Sequence, residues 1–391
     1  MKLLTIPIGL AASLSLLALP LASCSAASAP AGGGQVAATE QQGADETFAI
    51  TDIGTFEEPW ALALEPGTGR AFVTERAGAI RFVSPDGKAG TLSGVPKVDY
   101  GGQGGLGDFI FAPDYAKSHM VYLSWVETGQ GDTRGAVVGR ARLDCATPSS
   151  CALAELKVIW RQVPKVSGRG HYSHRLAFSP DCKYLFVSSG ERQKFTPAQD
   201  MSVNLGKIVR LLPDGTPAPG NPFAAKSGIA SQIWTLGHRN VLGLAFDAQG
   251  RLWDLEHGPK GGDEINLVKP GQNYGWPVVS NGDNYDGTPI PRHATRPDFT
   301  APAISWNPVI APGDFIFYSG SAFPEWRGQV IVAGLGSEGL VRVAIDGESA
   351  REVARYPLGT RIRDIAQATD GSIWVIEDGK HGRLRRLAPA R

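Results

Sequence analysis

The feature that most constrains this chain is a unit that recurs six times: a short apolar strand, a turn rich in Pro, Asp and Gly, a second apolar strand, then a further short strand. Three copies are Trp60-Ala61-Leu62-Ala63-Leu64 with Ala71-Phe72-Val73, Phe109-Ile110-Phe111 with Val121-Tyr122-Leu123, and Leu176-Ala177-Phe178 with Tyr184-Leu185-Phe186-Val187. The others are Leu244-Ala245-Phe246 with Leu252-Trp253, Phe315-Ile316-Phe317-Tyr318 with Val330-Ile331-Val332, and Ile365-Ala366-Gln367 with Ile373-Trp374-Val375. Turn signals such as Ser179-Pro180-Asp181, Asp247-Ala248-Gln249-Gly250 and Thr369-Asp370-Gly371 fall in the same place each time. Repeated hairpin units of this kind build β-propeller blades, so the expected fold is all-β, a six-bladed β-propeller. The 49 glycines and 28 prolines among 391 residues supply the tight turns such a fold requires. Propeller sites are assembled from loops at one mouth of the central channel, and the long loops here are residues 163–172 and 271–308.

The N-terminus reads as a targeting segment, because Lys2 precedes an apolar run from Leu3 to Leu21 that ends in Ala22, Ser23 and Cys24. Residues 1–23 have the form of a lipoprotein-type signal peptide, with Cys24 as the lipidated residue, and residues 24–47 are too polar and small to order themselves, hence a flexible tether. The expected location is the periplasm or the outer membrane of a bacterium, with membrane contact only through the lipid at Cys24. Residues 48–391 form the propeller. With 38 Lys+Arg against 38 Asp+Glu, nothing attracts the chain globally to nucleic acid, which is excluded as a partner. Cys145 and Cys151 flank a short polar loop and suggest a local disulfide, leaving Cys182 as the odd thiol.

Three segments carry chemistry. Glu256-His257-Gly258-Pro259-Lys260-Gly261-Gly262-Asp263-Glu264 presents carbonyls on a glycine-rich turn with carboxylates behind, a donor set suited to calcium. Arg361 and Arg363 point to one side of an extended strand, where their guanidinium forks can converge on a polyanion or pair with a blade-edge Asp. Gly170-His171-Tyr172-Ser173-His174-Arg175 offers two histidines able to act as a general base near neutral pH.

Taken in order, the motifs resemble those of the soluble quinoprotein family of glucose and sorbosone dehydrogenases, closest to its aldose sugar dehydrogenase branch. They are Gly102-Gln103-Gly104-Gly105-Leu106, His171 with Arg175, Ala198-Gln199-Asp200 with Leu205-Gly206-Lys207, Gly237-His238-Arg239-Asn240, Glu256-His257-Gly258-Pro259, Gly261-Gly262-Asp263-Glu264, Asn273-Tyr274-Gly275-Trp276-Pro277, Ile310-Ala311-Pro312, Phe323-Pro324-Glu325-Trp326-Arg327-Gly328 and Arg361-Ile362-Arg363-Asp364. The resemblance implies a six-bladed propeller that binds pyrroloquinoline quinone (PQQ) and calcium and oxidises aldose sugars at C1 to the lactone. Electrons would pass to an external acceptor, a cytochrome or a quinone.

On that resemblance, His171 is the catalytic base and Arg239 stabilises charge on the cofactor. Gln103, Arg239, Asn240, Tyr285, Arg361 and Arg363 contact cofactor or substrate. Gly258 and Pro259 give carbonyls to the calcium at the quinone, and Glu264 with the carbonyl of Tyr274 holds a second, structural calcium. Three departures stand out. Gly170 replaces the acidic residue that precedes the histidine in the glucose dehydrogenase branch, which predicts a base without an orienting carboxylate. The segment Gly334-Leu335-Gly336-Ser337-Glu338 lacks a basic residue near the quinone, and Glu338 would repel a carboxylate if it faced inward. Lys260 stands where Arg is usual. The competing readings are a non-catalytic binding propeller and a calcium-dependent sugar lactonase.

Overall fold

In the computed structural model, residues 47–390 are described; the expected leader, Cys24 and the tether up to residue 46 lie outside them. After β1 (Phe48–Phe56) the strands run in order as sets of four. The first set is β2 (Pro59–Leu64), β3 (Ala71–Glu75), β4 (Ala79–Val83) and β5 (Ala89–Ser93), and the second is β6 (Leu106–Phe111), β7 (Met120–Thr128), β8 (Arg134–Thr147) and β9 (Ser150–Arg161). The third is β10 (Ser173–Phe178), β11 (Leu185–Ser189), β12 (Lys207–Leu211) and β13 (Ile233–Leu236), and the fourth β14 (Val241–Phe246), β15 (Leu252–Glu256), β16 (Asp263–Leu267) and β17 (Ile304–Trp306). The fifth is β18 (Pro312–Phe317), β19 (Val330–Gly334), β20 (Gly339–Asp346) and β21 (Ser349–Pro357), followed by β22 (Ile362–Gln367), β23 (Ile373–Glu377) and β24 (Gly382–Pro389).

Each set is an antiparallel sheet in chain order; a short parallel pairing of β5 with β9 joins the first two blades at their outer edges. The sixth blade closes the ring with both chain ends, since β1 pairs antiparallel with β24. The first strands of the blades, β2, β6, β10, β14, β18 and β22, each touch the next, and β22 returns to β2. The fold is therefore a six-bladed β-propeller, and the six sequence units are the inner two strands of the six blades.

Blade stacking explains why the second strands lack a polar face. Ala71-Phe72-Val73 in β3 is buried throughout, because Phe72 packs toward the second blade while Ala71 and Val73 pack toward the sixth. Residues buried on both sides read as continuous apolar runs rather than alternating ones. The core is accordingly divided into apolar layers between neighbouring blades, one of which sets Phe48 of β1 against Phe323, Trp326 and Tyr356.

On the axis the inner strands converge on a single cation. Arg175 of β10 lies 3.0 Å from Asp364 of β22, 3.5 Å from Asp108 of β6 and 3.6 Å from Asp314 of β18. It also donates to the carbonyls of Leu242 in β14 and Gly313 in β18, and its guanidinium covers the ring of Trp60 in β2. All six inner strands thus meet at one buried side chain. Cys145 and Cys151 form the expected disulfide across the β8–β9 hairpin, and Cys182 is free and exposed.

Candidate active site

Four residues before the axial arginine, the chain enters β10 through backbone in the left-handed region, with φ of 48° at His171, 57° at Ser173 and 60° at His174. This kink aims alternate side chains at different neighbours. His174 turns into the channel, stacks on Trp60 with ring centroids 5.0 Å apart and contacts Ser124 Oγ through Nδ1 at 2.7 Å. Complete burial pushes its imidazole down to about 3, so it is a neutral packing residue at working pH.

His171 is placed differently. Its backbone N–H donates to Gln103 Oε1 at 2.7 Å, and its Nδ1 is hydrogen-bonded to Glu191 Oε1. The other oxygen of Glu191 accepts the backbone N–H groups of Lys194 and Phe195, both at 2.6 Å. Strand register makes the pair: Ser173 faces Ser189 across β10 and β11, and two residues beyond that rung residue 171 meets residue 191. Gly190 is required between them, because a Cβ there would fall 2.1 Å from the carbonyl oxygen of His171. The expectation that this histidine lacks an orienting carboxylate is therefore corrected: the carboxylate comes from the facing strand instead of the preceding residue. Burial, with Arg239 and Arg192 nearby, holds His171 below its ordinary value although Glu191 pulls upward. With Nδ1 engaged by the carboxylate, Nε2 is the nitrogen left for chemistry.

Around this dyad three cavities share walls. A channel-mouth cavity of about 240 Å³ is lined by Gln103, Asn240, His257, Arg361 and Arg363 among others. A more apolar one of about 310 Å³ holds His171, Glu191, Phe195, Arg239, Trp276 and Tyr285. A cleft of about 10 Å³ is lined by Gly258, Pro259, Glu264, Tyr274 and His293. His257 is common to the first and third, and Arg239, Pro259 and Trp276 to the second and third.

Arg239 is the hinge of this arrangement. It is buried, donates to the carbonyl of His257 at 3.1 Å and to Tyr285 Oη at 3.1 Å, and lies over the rings of Trp276 and Tyr285. Its Nε is buried without a partner among the described residues, as is Nε of Arg76. Asn240 accepts from Ser173 Oγ at 3.3 Å. Of the two alternatives the sequence offers for Arg361 and Arg363, the pairing with an acid is the one seen: both contact Asp378, at 3.0 Å and 2.7 Å. Two guanidinium groups on one carboxylate leave a net positive mouth. Glu338 is exposed and absent from the cavity lining, so it does not oppose an anion there. Lys260 is exposed and bridges Asp283 through its backbone.

Behind the third cleft the protein buries acid. Glu264 and Asp254 are raised well above the usual carboxylate range by burial and by the charge of Glu256, and burial lifts Asp263 to about 6. Asn266 Nδ2 donates to Asp254, Glu256 and Glu264, and His238 Nδ1 lies 3.0 Å from Glu256. Buried carboxylates of this density call for a cation. The carbonyl of Tyr274 accepts from His293 at 3.1 Å and lines the same cleft. Of the sequence-predicted site residues, Gln103, Asn240, Arg361 and Arg363 gather at the channel mouth, His171, Arg239 and Tyr285 at the apolar cavity, and Gly258, Pro259, Glu264 and Tyr274 at the cleft. Glu191 and Phe195 were not legible as site residues.

Residues 56–386 match the family model described as Glucose / Sorbosone dehydrogenase. The chain belongs to the glucose/sorbosone dehydrogenase family. Within this family it is similar to the aldose sugar dehydrogenase YliI of Escherichia coli (strain K12), 36% identical over 342 residues that cover 85% of this chain and 90% of that protein. Among solved structures it resembles the apo form of the soluble aldose sugar dehydrogenase of Escherichia coli, with a TM-score of 0.81, 34% identity and coverage of 88% of this chain and 100% of that one. It also resembles the PQQ-bound form of the aldose sugar dehydrogenase of Streptomyces coelicolor, with a TM-score of 0.72, 30% identity and coverage of 88% and 99%. These family members share the propeller on which the three cavities are built.

Proposed function

We propose that the protein is a PQQ- and calcium-dependent aldose dehydrogenase, oxidising a sugar at C1 to its lactone and releasing electrons to an external acceptor. The observation that carries this reading is the His171–Glu191 pair beside Arg239, at an apolar cavity that adjoins a cationic channel mouth. The donor set fits the cofactor. Arg361 and Arg363 suit the carboxylates of a planar tricarboxylate, Arg239 brings an unused buried N–H, and Gln103, Asn240 and Tyr285 supply further polar contacts. Gly258 and Pro259 would hold calcium through their carbonyls, and Glu264 with Tyr274 a second ion, where buried carboxylates already demand positive charge.

When bound, PQQ supplies the two-electron acceptor that no side chain here can provide. The chain's own part is proton handling and orientation. Glu191 fixes the His171 ring and favours the imidazolium that forms as Nε2 takes the proton of the anomeric hydroxyl. Arg239 presents fixed positive charge beside the reacting groups, where exclusion of water makes it effective. The leader and Cys24 extend this reading to an exported lipoprotein, with residues 48–391 as one catalytic propeller. His171→Ala should lower turnover of aldoses by roughly 10²–10⁴-fold while leaving PQQ binding nearly intact. Steady-state assays with an artificial acceptor check this, and full activity in the variant would remove His171 from the role.

A further inference from the structure

Phe195 combines two features that packing alone does not explain. Its backbone stands at φ 63° and ψ −84°, outside the regions that a bulky residue prefers, and its side chain is 48% exposed. Strain normally accompanies an anchored side chain, yet here it holds an aromatic ring open to solvent. What enforces the conformation is Glu191, whose Oε2 accepts the Phe195 N–H while Oε1 holds His171. The ring stacks on Trp276 at 5.6 Å with an interplanar angle of 28°. Trp276 is itself buried, and its indole N–H has no partner among the described residues. The Arg239 guanidinium also lies over the Trp276 ring, at 5.2 Å, and over that of Tyr285, which is 72% exposed. Phe195, Trp276 and Tyr285 therefore wall the cavity that contains the base.

We propose that Phe195 is the platform on which the substrate sugar rests, and that it selects aldopyranoses with an unbroken C–H face. This inference rests on the dehydrogenase reading above. A pyranose whose hydroxyls are equatorial offers axial C–H groups to an aromatic ring, and the contact removes apolar surface from water on both partners. An axial hydroxyl on that face is pressed against carbon with no hydrogen-bond partner, which is costly once water is excluded. Because one carboxylate holds both the platform and the base, the seat of the sugar is fixed relative to His171.

The test uses the full chain loaded with PQQ and calcium, with Phe195→Ala and Phe195→Tyr compared with wild type on glucose and on its C4 and C3 epimers, galactose and allose, whose axial hydroxyls stand on opposite faces of the ring. For Phe195→Ala the KM for glucose should rise by about 10-fold, from lost aromatic contact, with kcat little changed. The preference for glucose over the epimer whose axial hydroxyl meets the platform should shrink, and Phe195→Tyr should restore both. PQQ stoichiometry and the pH dependence of kcat should stay as in wild type, which separates a platform from a structural role. An unchanged KM and unchanged preference in an active Phe195→Ala enzyme would overturn the platform alone. A fall in kcat with a shifted pH profile would likewise overturn it, making Phe195 a positioning residue for the dyad. If wild-type protein binds PQQ but oxidises no aldose, the dehydrogenase reading fails first, and the platform with it.

Discussion

Opposing demands meet on the imidazole of His171. Burial and two nearby guanidinium groups favour the neutral ring, and Glu191 favours the charged one, with burial dominant. The ring is then neutral at neutral pH, as a base must be, and activity should fall on acidification only below the ordinary histidine range, near 6.5. Glu191→Gln removes the influence that raises this value, so the acid limb of the kcat profile should move to lower pH. Loss of orientation and of imidazolium stabilisation should lower kcat by at least about 10-fold. A pH series of steady-state rates checks this; an acid limb displaced upward would contradict the assignment. The family resemblance singles out His171 as the base, four residues before Arg175, but says nothing of its partner. Glu191 is 20 positions away in sequence, and only the register of β10 against β11 brings the two together. A signal existed in Gly190-Glu191, an acid directly after a buried strand, but strand register has to be known before it can be used. The two arginines on Asp378 show the opposite case, since the period of an extended strand already places both on one side, where one acid can meet them.

At the scale of elements, what the sequence revealed were the buried inner strands. Their apolar runs and repeated turn residues mark β2 with β3, and each later pair, because both faces are packed against neighbouring blades. The outer strands, such as β5, β13 and β17, are short or half-exposed and carry little pattern. β1 is harder still, because its role comes from pairing with β24 at the other end of the chain. The disulfide was legible because it is local, closing a hairpin whose two cysteines face each other across the rung. The loops were the opposite. Residues 190–206 connect β11 to β12 and contain Glu191 and Phe195, while residues 268–303 bring Tyr274, Trp276 and Tyr285 to the mouth. Such loops have no period, and their shape is set by particular contacts. One is Lys207, whose buried ammonium donates to the carbonyls of Pro197, Ala198 and Leu205 and is pushed down to about 7 by burial.

For the whole molecule, the axis and the site are one construction. Arg175 ties the inner strands together, and the kinked lead into the same strand delivers His171 to the mouth. A motif residue that could be taken for a cofactor contact is thus a structural one. One guanidinium faces three carboxyl groups, and burial holds Asp108 and Asp314 above the usual carboxylate range. Arg175→Leu leaves those groups buried without their cation and should destabilise the fold by roughly 3–5 kcal/mol. Chemical denaturation of the variant measures this, and a loss below about 1 kcal/mol would show that the axis is not held by this charge. The channel mouth and its neighbouring cavities together are proposed to form a site for PQQ and calcium that oxidises aldoses. The most direct test is an absorbance titration of the purified protein with PQQ in the presence of calcium, followed by addition of glucose with and without an artificial electron acceptor. Stoichiometric, calcium-dependent binding and sugar-dependent bleaching of the oxidised cofactor, restored by the acceptor, are the expected result. Failure to bind PQQ with calcium present would contradict it.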